Sequence, residues 1–315
     1  TPGRKMTIMI VCCGEALIDM LPAVSQAGKA ALAPHAGGAL FNTSIALGRL
    51  GVPVEFFSGL STDLFGRQLR DALAASHVGL RYARFSARPT TLAFAHVVGG
   101  QATYTFYDEG TAGRMLAKAD LPALESEVAA MLFGAVSLIS EPCGSSYEAL
   151  MRREADRRVM MLDPNIRPAF ITDRNAYVER FRRMMTHADI LKLSDEDLAW
   201  FGEEGSMEEI AGRWLERGPR LVIVTRGSQG AIGYTRHFNV SAVPPRVAVV
   251  DTVGAGDTFN AGVLASLYEQ GALRKDAIAS LSQEAVRHAL DLGIRTAAVT
   301  VSRAGADPPW RHELS

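Results

Sequence analysis

The chain has 315 residues, 48% of them apolar, enough to bury the core of one large domain or of one domain with an accessory element. Its 33 Lys and Arg balance 34 Asp and Glu with no long run of either sign, which excludes a nucleic-acid or anionic-membrane footprint and leaves a small molecule as the expected partner. Cys12, Cys13 and Cys143 form no C-x-x-C pair and fit a reducing cytoplasm.

In chain order, Arg4 and Lys5 precede an apolar run to Cys13 that is too short for a signal peptide and is followed at once by Glu15 and Asp19. Met6 or Met9 reads as the translation start. No later stretch is long and apolar enough to span a bilayer as a helix. Short apolar runs recur at 8–13, 54–58, 135–140, 159–162, 189–193, 221–225 and 297–301, with helical segments between most of them. Buried parallel strands read as unbroken apolar runs, and strands separated by helices imply right-handed crossovers. The expected fold is therefore α/β, a three-layer sandwich around a mostly parallel central sheet.

Two segments break this rhythm. Residues 20–36 are Ala-rich between Pro22 and Pro34, and 91–107 reads as two strands joined by Gly99 and Gly100, a pair suited to a tight hairpin. Together they are expected to form a small β-sheet lid (20–36 and 88–112) standing off a main domain (6–19, 37–87 and 113–315). A hairpin carrying Phe94, Tyr104, Phe106 and Tyr107 must cover a ligand or a second subunit, the plainer alternative being an edge extension.

Polar clusters follow the apolar runs: Glu141-Pro142 after 135–140, Asp163-Pro164-Asn165-Ile166-Arg167 after 159–162, Ser194-Asp195-Glu196-Asp197 after 189–193, and Thr225-Arg226-Gly227. Open α/β sheets bind ligands outside the carboxyl ends of their strands, so these clusters are expected on one edge. Taken singly, each reads equally well as a helix cap. Arg167 and Glu141 are poor caps and favour a site.

The strongest local signal is Asp251-Thr252-Val253-Gly254-Ala255-Gly256-Asp257-Thr258-Phe259. From Asp257 onward apolar residues recur at helical spacing, which puts Gly254, Ala255 and Gly256 at a helix N-terminus, where free N–H groups and the dipole favour an anion. A carboxylate directly after such a cradle repels a resting anion but suits a base facing an attacking hydroxyl. At a helix start Asp257 is expected to have a low pKa and to be a weak base, sufficient where the proton leaves late. The plainer reading is a helix cap. No Walker-type loop is present, no G-x-G-x-x-G follows the first strand, and the His and Cys lack zinc spacing.

This stretch resembles the C-terminal signature of the ribokinase-like (PfkB-type) carbohydrate kinases. Gly37-Gly38-Ala39-Leu40-Phe41-Asn42, continuing to Gly51, Gly59 and Asp63-x-x-Gly66, is similar to their N-terminal signature. The resemblance implies an ATP-dependent sugar kinase with Asp257 as base and Gly254, Ala255 and Gly256 as the anion hole. It implies sugar contacts at Asp19, Gly37, Gly38, Asn42 and Glu141, with Phe106 on the lid and Arg167 pairing with phosphate or a substrate carboxylate. Nucleotide contacts are implied at Lys192, Ser194, Thr225, Gly227 and Gly230 together with Gly254 and Gly256. Mg2+ is implied as cofactor, and Asp197 stands where the family carries the acid of an N-x-x-E motif whose Asn is lost here. Asp251 and the Val253 carbonyl match a monovalent-cation (K+) site of some members. Leu292-Gly293-Ile294-Arg295-Thr296 replaces the small residues that often flank adenine, so adenine contacts do not transfer.

Segments 14–20, 104–116 and 163–168 resemble those of bacterial fructokinases, which implies D-fructose as acceptor and fructose 6-phosphate as product. 2-Keto-3-deoxygluconate and ribose are the alternative sugars, and a non-catalytic sugar or nucleotide sensor is the alternative class. A homodimer through the lids is expected.

Overall fold

The computed structural model describes residues 8–98 and 101–314. The reading of Met6 as a start and the turn pair Gly99-Gly100 lie outside the described residues.

Nine strands form the central sheet, in the order Asn239–Ala242, Ala231–Tyr234, Leu221–Thr225, Ile190–Ser194, Val159–Asp163, Val128–Gly134, Met9–Cys13, Val54–Phe57 and Val78–Gly79. The seven from Leu221–Thr225 to Val78–Gly79 are parallel, and the first two are antiparallel. Successive side chains of a strand point to opposite faces. Accordingly Ile10 and Cys12 enter one core, with the helices Ala39–Arg49, Ala255–Glu269 and Gln283–Val301, while Val11 and Cys13 enter another, beneath Cys143–Glu154 and Arg174–Met185. Two cores on one sheet make the three layers.

Two expected strands are corrected. The strand before Glu141 is Val128–Gly134, and Ala135–Leu138 is a 3-10 turn with Ala135 at φ 55°. Glu141 therefore stands at the start of the Cys143–Glu154 helix rather than at a strand end. Residues 297–301 close the Gln283–Val301 helix, whose buried stripe from Val286 to Thr300 continues through them. An apolar run of five is ambiguous between a strand and one helix turn, and the helical context decides.

A separate four-stranded sheet, in the order Ala30–Gly37, Leu17–Val24, Thr91–Val98 and Gln101–Tyr107, is the lid. It begins at Leu17, so Asp19 sits in a lid strand, opposite His35, and not in the main domain as expected. Its root is fastened by Asp63. That carboxylate accepts hydrogen bonds from the Gly66 N–H at 2.7 Å, the Thr90 hydroxyl at 2.7 Å and the Thr90 N–H at 2.9 Å. One side chain thus caps the Leu64–Ala75 helix and ties it to the lid hinge.

Candidate active site

The Ala255–Glu269 helix starts on Gly254, whose left-handed φ of 75° suits glycine. Its position is locked by close packing: a methyl at Gly262 would stand 2.6 Å from Gly293 Cα of the 283–301 helix. The Thr296 hydroxyl donates to the Thr258 carbonyl at 3.1 Å, and the Thr43 hydroxyl of the 39–49 helix donates to the Asp257 carbonyl at 3.0 Å. Thr258 N–H makes the first helical hydrogen bond, to Gly254 O, so the Gly256 and Asp257 amides precede it as the donors open to an anion.

Asp257 is buried in the first turn of this helix. Its Oδ2 accepts from Asn42 Nδ2 at 2.9 Å and its Oδ1 from Asn165 Nδ2 at 3.5 Å. Burial pushes its carboxyl up to about 6, with the Asn42 hydrogen bond opposing and the nearby Asp163 charge adding to the rise. This corrects the expected low pKa: desolvation outweighs the helix start and brings the group closer to a useful base.

Beneath the anion loop lies a buried network that sequence reasoning only touched. Asp163 Oδ2 accepts from Lys192 Nζ at 3.0 Å and from Asn260 Nδ2 at 2.6 Å. Lys192 Nζ lies 3.2 Å from where a Cβ on Gly256 would stand, so the ammonium underlies the anion loop while Asp163 balances its charge. Arg167 is exposed but close enough to Asp257 to favour its ionised form.

The residues expected to meet the sugar gather at the mouth of the lid. A Cβ on Gly37 would collide with the Asp19 carboxyl, and Gly38, at φ 114°, turns the chain into the 39–49 helix that carries Asn42. Burial pushes Asp19 up to about 6, against the opposing pull of His35. Beside them is a cavity of 590 Å3 lined by Glu15, Leu17, Thr105, Phe106, Asp108, Arg114, Ser137, Glu141 and Phe170, among others. Phe106 of the lid packs on Phe170 with ring centroids 4.3 Å apart, so the lid touches the Pro168–Phe170 turn of the main domain at this cavity. Glu141 lies on the rim with its carboxylate engaged by Arg180 and Ser145. Glu15 was missed as a site residue, because nothing in the sequence says that its side chain turns inward.

Against Ala255 and Gly256 of the helix start, a second cavity of 580 Å3 brings together Thr225, Gly227 and Gly230. Its walls are apolar, built from Val247, Val249, Phe259, Ile294 and Ala298. Two of these come from the helix that replaced the expected strand at 297–301. Ser194 is used structurally: its hydroxyl accepts from Asp197 N–H at 3.0 Å while Asp197 Oδ2 accepts from Ser194 N–H at 3.0 Å. Asp197 Oδ1 accepts from Ile166 N–H at 2.8 Å. With both oxygens committed to backbone donors, Asp197 is a buried capping residue that does not fit direct Mg2+ ligation. Among the described residues no group of three acids, histidines or cysteines forms a metal cluster. Asp251 braces its loop by accepting from Val253 N–H at 3.0 Å and from Gly305 N–H at 2.9 Å, bonds that hold its carboxyl below the usual range. Unlike buried Asp197, Asp251 is half-buried, so its oxygens keep lone pairs facing solvent, and with the Val253 carbonyl they are hard donors of a chemistry that suits a monovalent cation.

A cavity under the small sheet, an apolar cavity against Ala255 and Gly256 of the helix start, and a buried carboxylate in the first turn of that helix stand on one fold, and this fold and site define a carbohydrate kinase. Comparison with known proteins agrees: the model of the pfkB family carbohydrate kinases matches residues 7–313, and the chain belongs to that family. It is 54% identical over 283 residues to a fructokinase of Rhizobium leguminosarum bv. trifolii, covering 90% of this chain and 87% of that one. It is 30% identical over 311 residues to fructokinase-2 of Zea mays, covering 95% and 90%. Its fold superposes on the crystal structure of a fructokinase from Xylella fastidiosa with bound ATP at a TM-score of 0.87, with 26% identity and 97% of each chain covered.

Proposed function

We propose that this protein is a fructokinase that transfers the γ-phosphoryl group of ATP to the 6-hydroxyl of D-fructose. The observation that carries the reading is the placement of Asp257, buried beside the open amides at the start of its helix and bonded to Asn42, which follows the Gly37-Gly38 turn. The 54% identity to a bacterial fructokinase supports fructose as the acceptor. Fructose lies beneath the lid against Asp19, Gly37, Gly38 and Asn42, and ATP lies in the apolar cavity beyond Thr225. As the sugar oxygen forms its bond to the γ-phosphorus, the bond from that phosphorus to the bridging oxygen breaks, and the hydroxyl proton passes to Asp257. The Gly256 and Asp257 amides, with Lys192 and Arg167 nearby, stabilise charge on the transferring group.

Mg2+ enters this reading as a companion of the nucleotide, since Asp197 does not fit as its direct ligand; when bound it neutralises phosphate charge. Asp251 and the Val253 carbonyl would hold K+, and replacing K+ with a large organic cation should lower the rate. The cytoplasm fits the three buried, unpaired cysteines. No described helix is long and apolar enough to cross a membrane.

A coupled assay of ADP formation across fructose, 2-keto-3-deoxygluconate, ribose and adenosine tests the reading. Fructose should give the highest kcat/KM. A higher value for the keto acid would transfer the proposal to that substrate, and no turnover with any of them would favour a sensor.

A further inference from the structure

Glu15 follows the first central strand and enters the lidded cavity, yet neither the phosphoryl transfer nor the contacts above use it. Its two oxygens have different surroundings. Oε1 accepts from the Ala39 N–H at 2.8 Å, the first amide of the 39–49 helix, so the side chain is anchored to a helix N-terminus. Its Cγ and carbonyl also wall in Gly38, where an added Cβ would stand 2.8 Å from Glu15 O. Oε2 is hidden from solvent and completes no hydrogen bond among the described residues. The same is true of Ser58 Oγ, in the wall of the same cavity.

A buried carboxylate oxygen without a partner is costly and rare, and a native chain that keeps one calls for an explanation. The other charges in the wall have partners: Asp108 pairs with Arg114 at 2.9 Å, and Glu141 pairs with Arg180. We infer that Glu15 is a sugar-recognition residue, anchored through Oε1 so that Oε2 accepts the proton of a hydroxyl of the bound ketose. Burial pushes its carboxyl up to about 7, with the Asp257 charge adding to the rise and the backbone N–H groups of Glu15, Ala39 and Ser137 opposing it, and a hydroxyl donor would further favour the ionised form. This inference rests on the sugar-kinase reading and extends it to a residue outside the anion loop and the Gly37-Gly38 turn.

Glu15→Gln tests it, because Gln keeps an acceptor for the Ala39 N–H but places an NH2 group where Oε2 accepts. Glu15→Ala loses both and should also lower Tm. With the wild-type enzyme turning over fructose, Glu15→Gln should raise the KM for fructose by about 10- to 100-fold, the range for a lost hydrogen bond to a charged group, while the KM for ATP stays near wild type. Across 1-, 3- and 4-deoxyfructose, one analogue should lose affinity in the wild type and lose no more in the variant. An unchanged fructose KM, or a variant that loses equally with every analogue, would overturn the assignment. Failure of the wild type to phosphorylate any ketose would instead overturn the sugar-kinase reading beneath it.

Discussion

Asp257 does its work through two opposed influences, the helix start that favours its charge and the burial that disfavours it. At about 6 against an ordinary aspartate near 3.9, its folded pKa is raised. Between those values the folded state holds a proton that the unfolded chain has released, so this group's contribution to stability is full at low pH and is lost as pH rises through about 6. Asp257→Asn should therefore raise Tm at pH 8, by an amount corresponding to roughly 3 kcal/mol, and confer little gain near pH 4. Calorimetry at the two pH values checks this, and an equal Tm change at both would contradict it. The same substitution should cost about 10²- to 10⁴-fold in kcat while leaving ATP binding largely intact. The placement of Asp257 at a helix start was legible in the sequence because three small residues and a helical stripe bracket it. Glu15 and Asp163 were not, since their chemistry comes from burial and from partners 24 and 97 residues away, Ala39 and Asn260.

At the scale of elements, the lid is held at its root by Asp63 and touches the main domain through Phe106 and Phe170. Phe106→Ala removes that contact and should raise the KM for fructose more than the KM for ATP. Steady-state kinetics with each substrate varied in turn measures it, and equal changes in both would separate the lid from the sugar. The lid hairpin was legible because strand-like runs flank a glycine pair. The errors at 135–140 and 297–301 share a cause: each is a short apolar stretch whose conformation is set by what precedes it. At 135–140 the strand had already ended at Gly134, and at 297–301 the helical stripe had already begun at Val286. The same ambiguity hid the second, apolar cavity, to which that helix contributes Ile294, Ala297, Ala298 and Val301. Of the capping readings, the one at Ser194 and Asp197 is what the structure bears out.

For the whole molecule, the nine-stranded sheet organises the two cavities while the small sheet walls the first of them through Leu17, Thr91, Thr105 and Phe106. Val24, Leu32 and Tyr107 of the lid are 75%, 44% and 60% exposed, and exposed apolar side chains on a small sheet are a natural self-association surface. We propose a homodimer formed there: light scattering should give twice the chain mass of 33.9 kDa, and Leu32→Asp should reduce it to one. A monomeric wild type would remove the dimer without touching the catalytic reading. That reading is tested most directly by following fructose and ATP with 31P NMR in the presence of the wild-type protein and of Asp257→Asn. Fructose 6-phosphate and ADP should appear in equal amounts with the wild type and fall to a trace with the variant; no sugar phosphate, or equal product from both proteins, would contradict it.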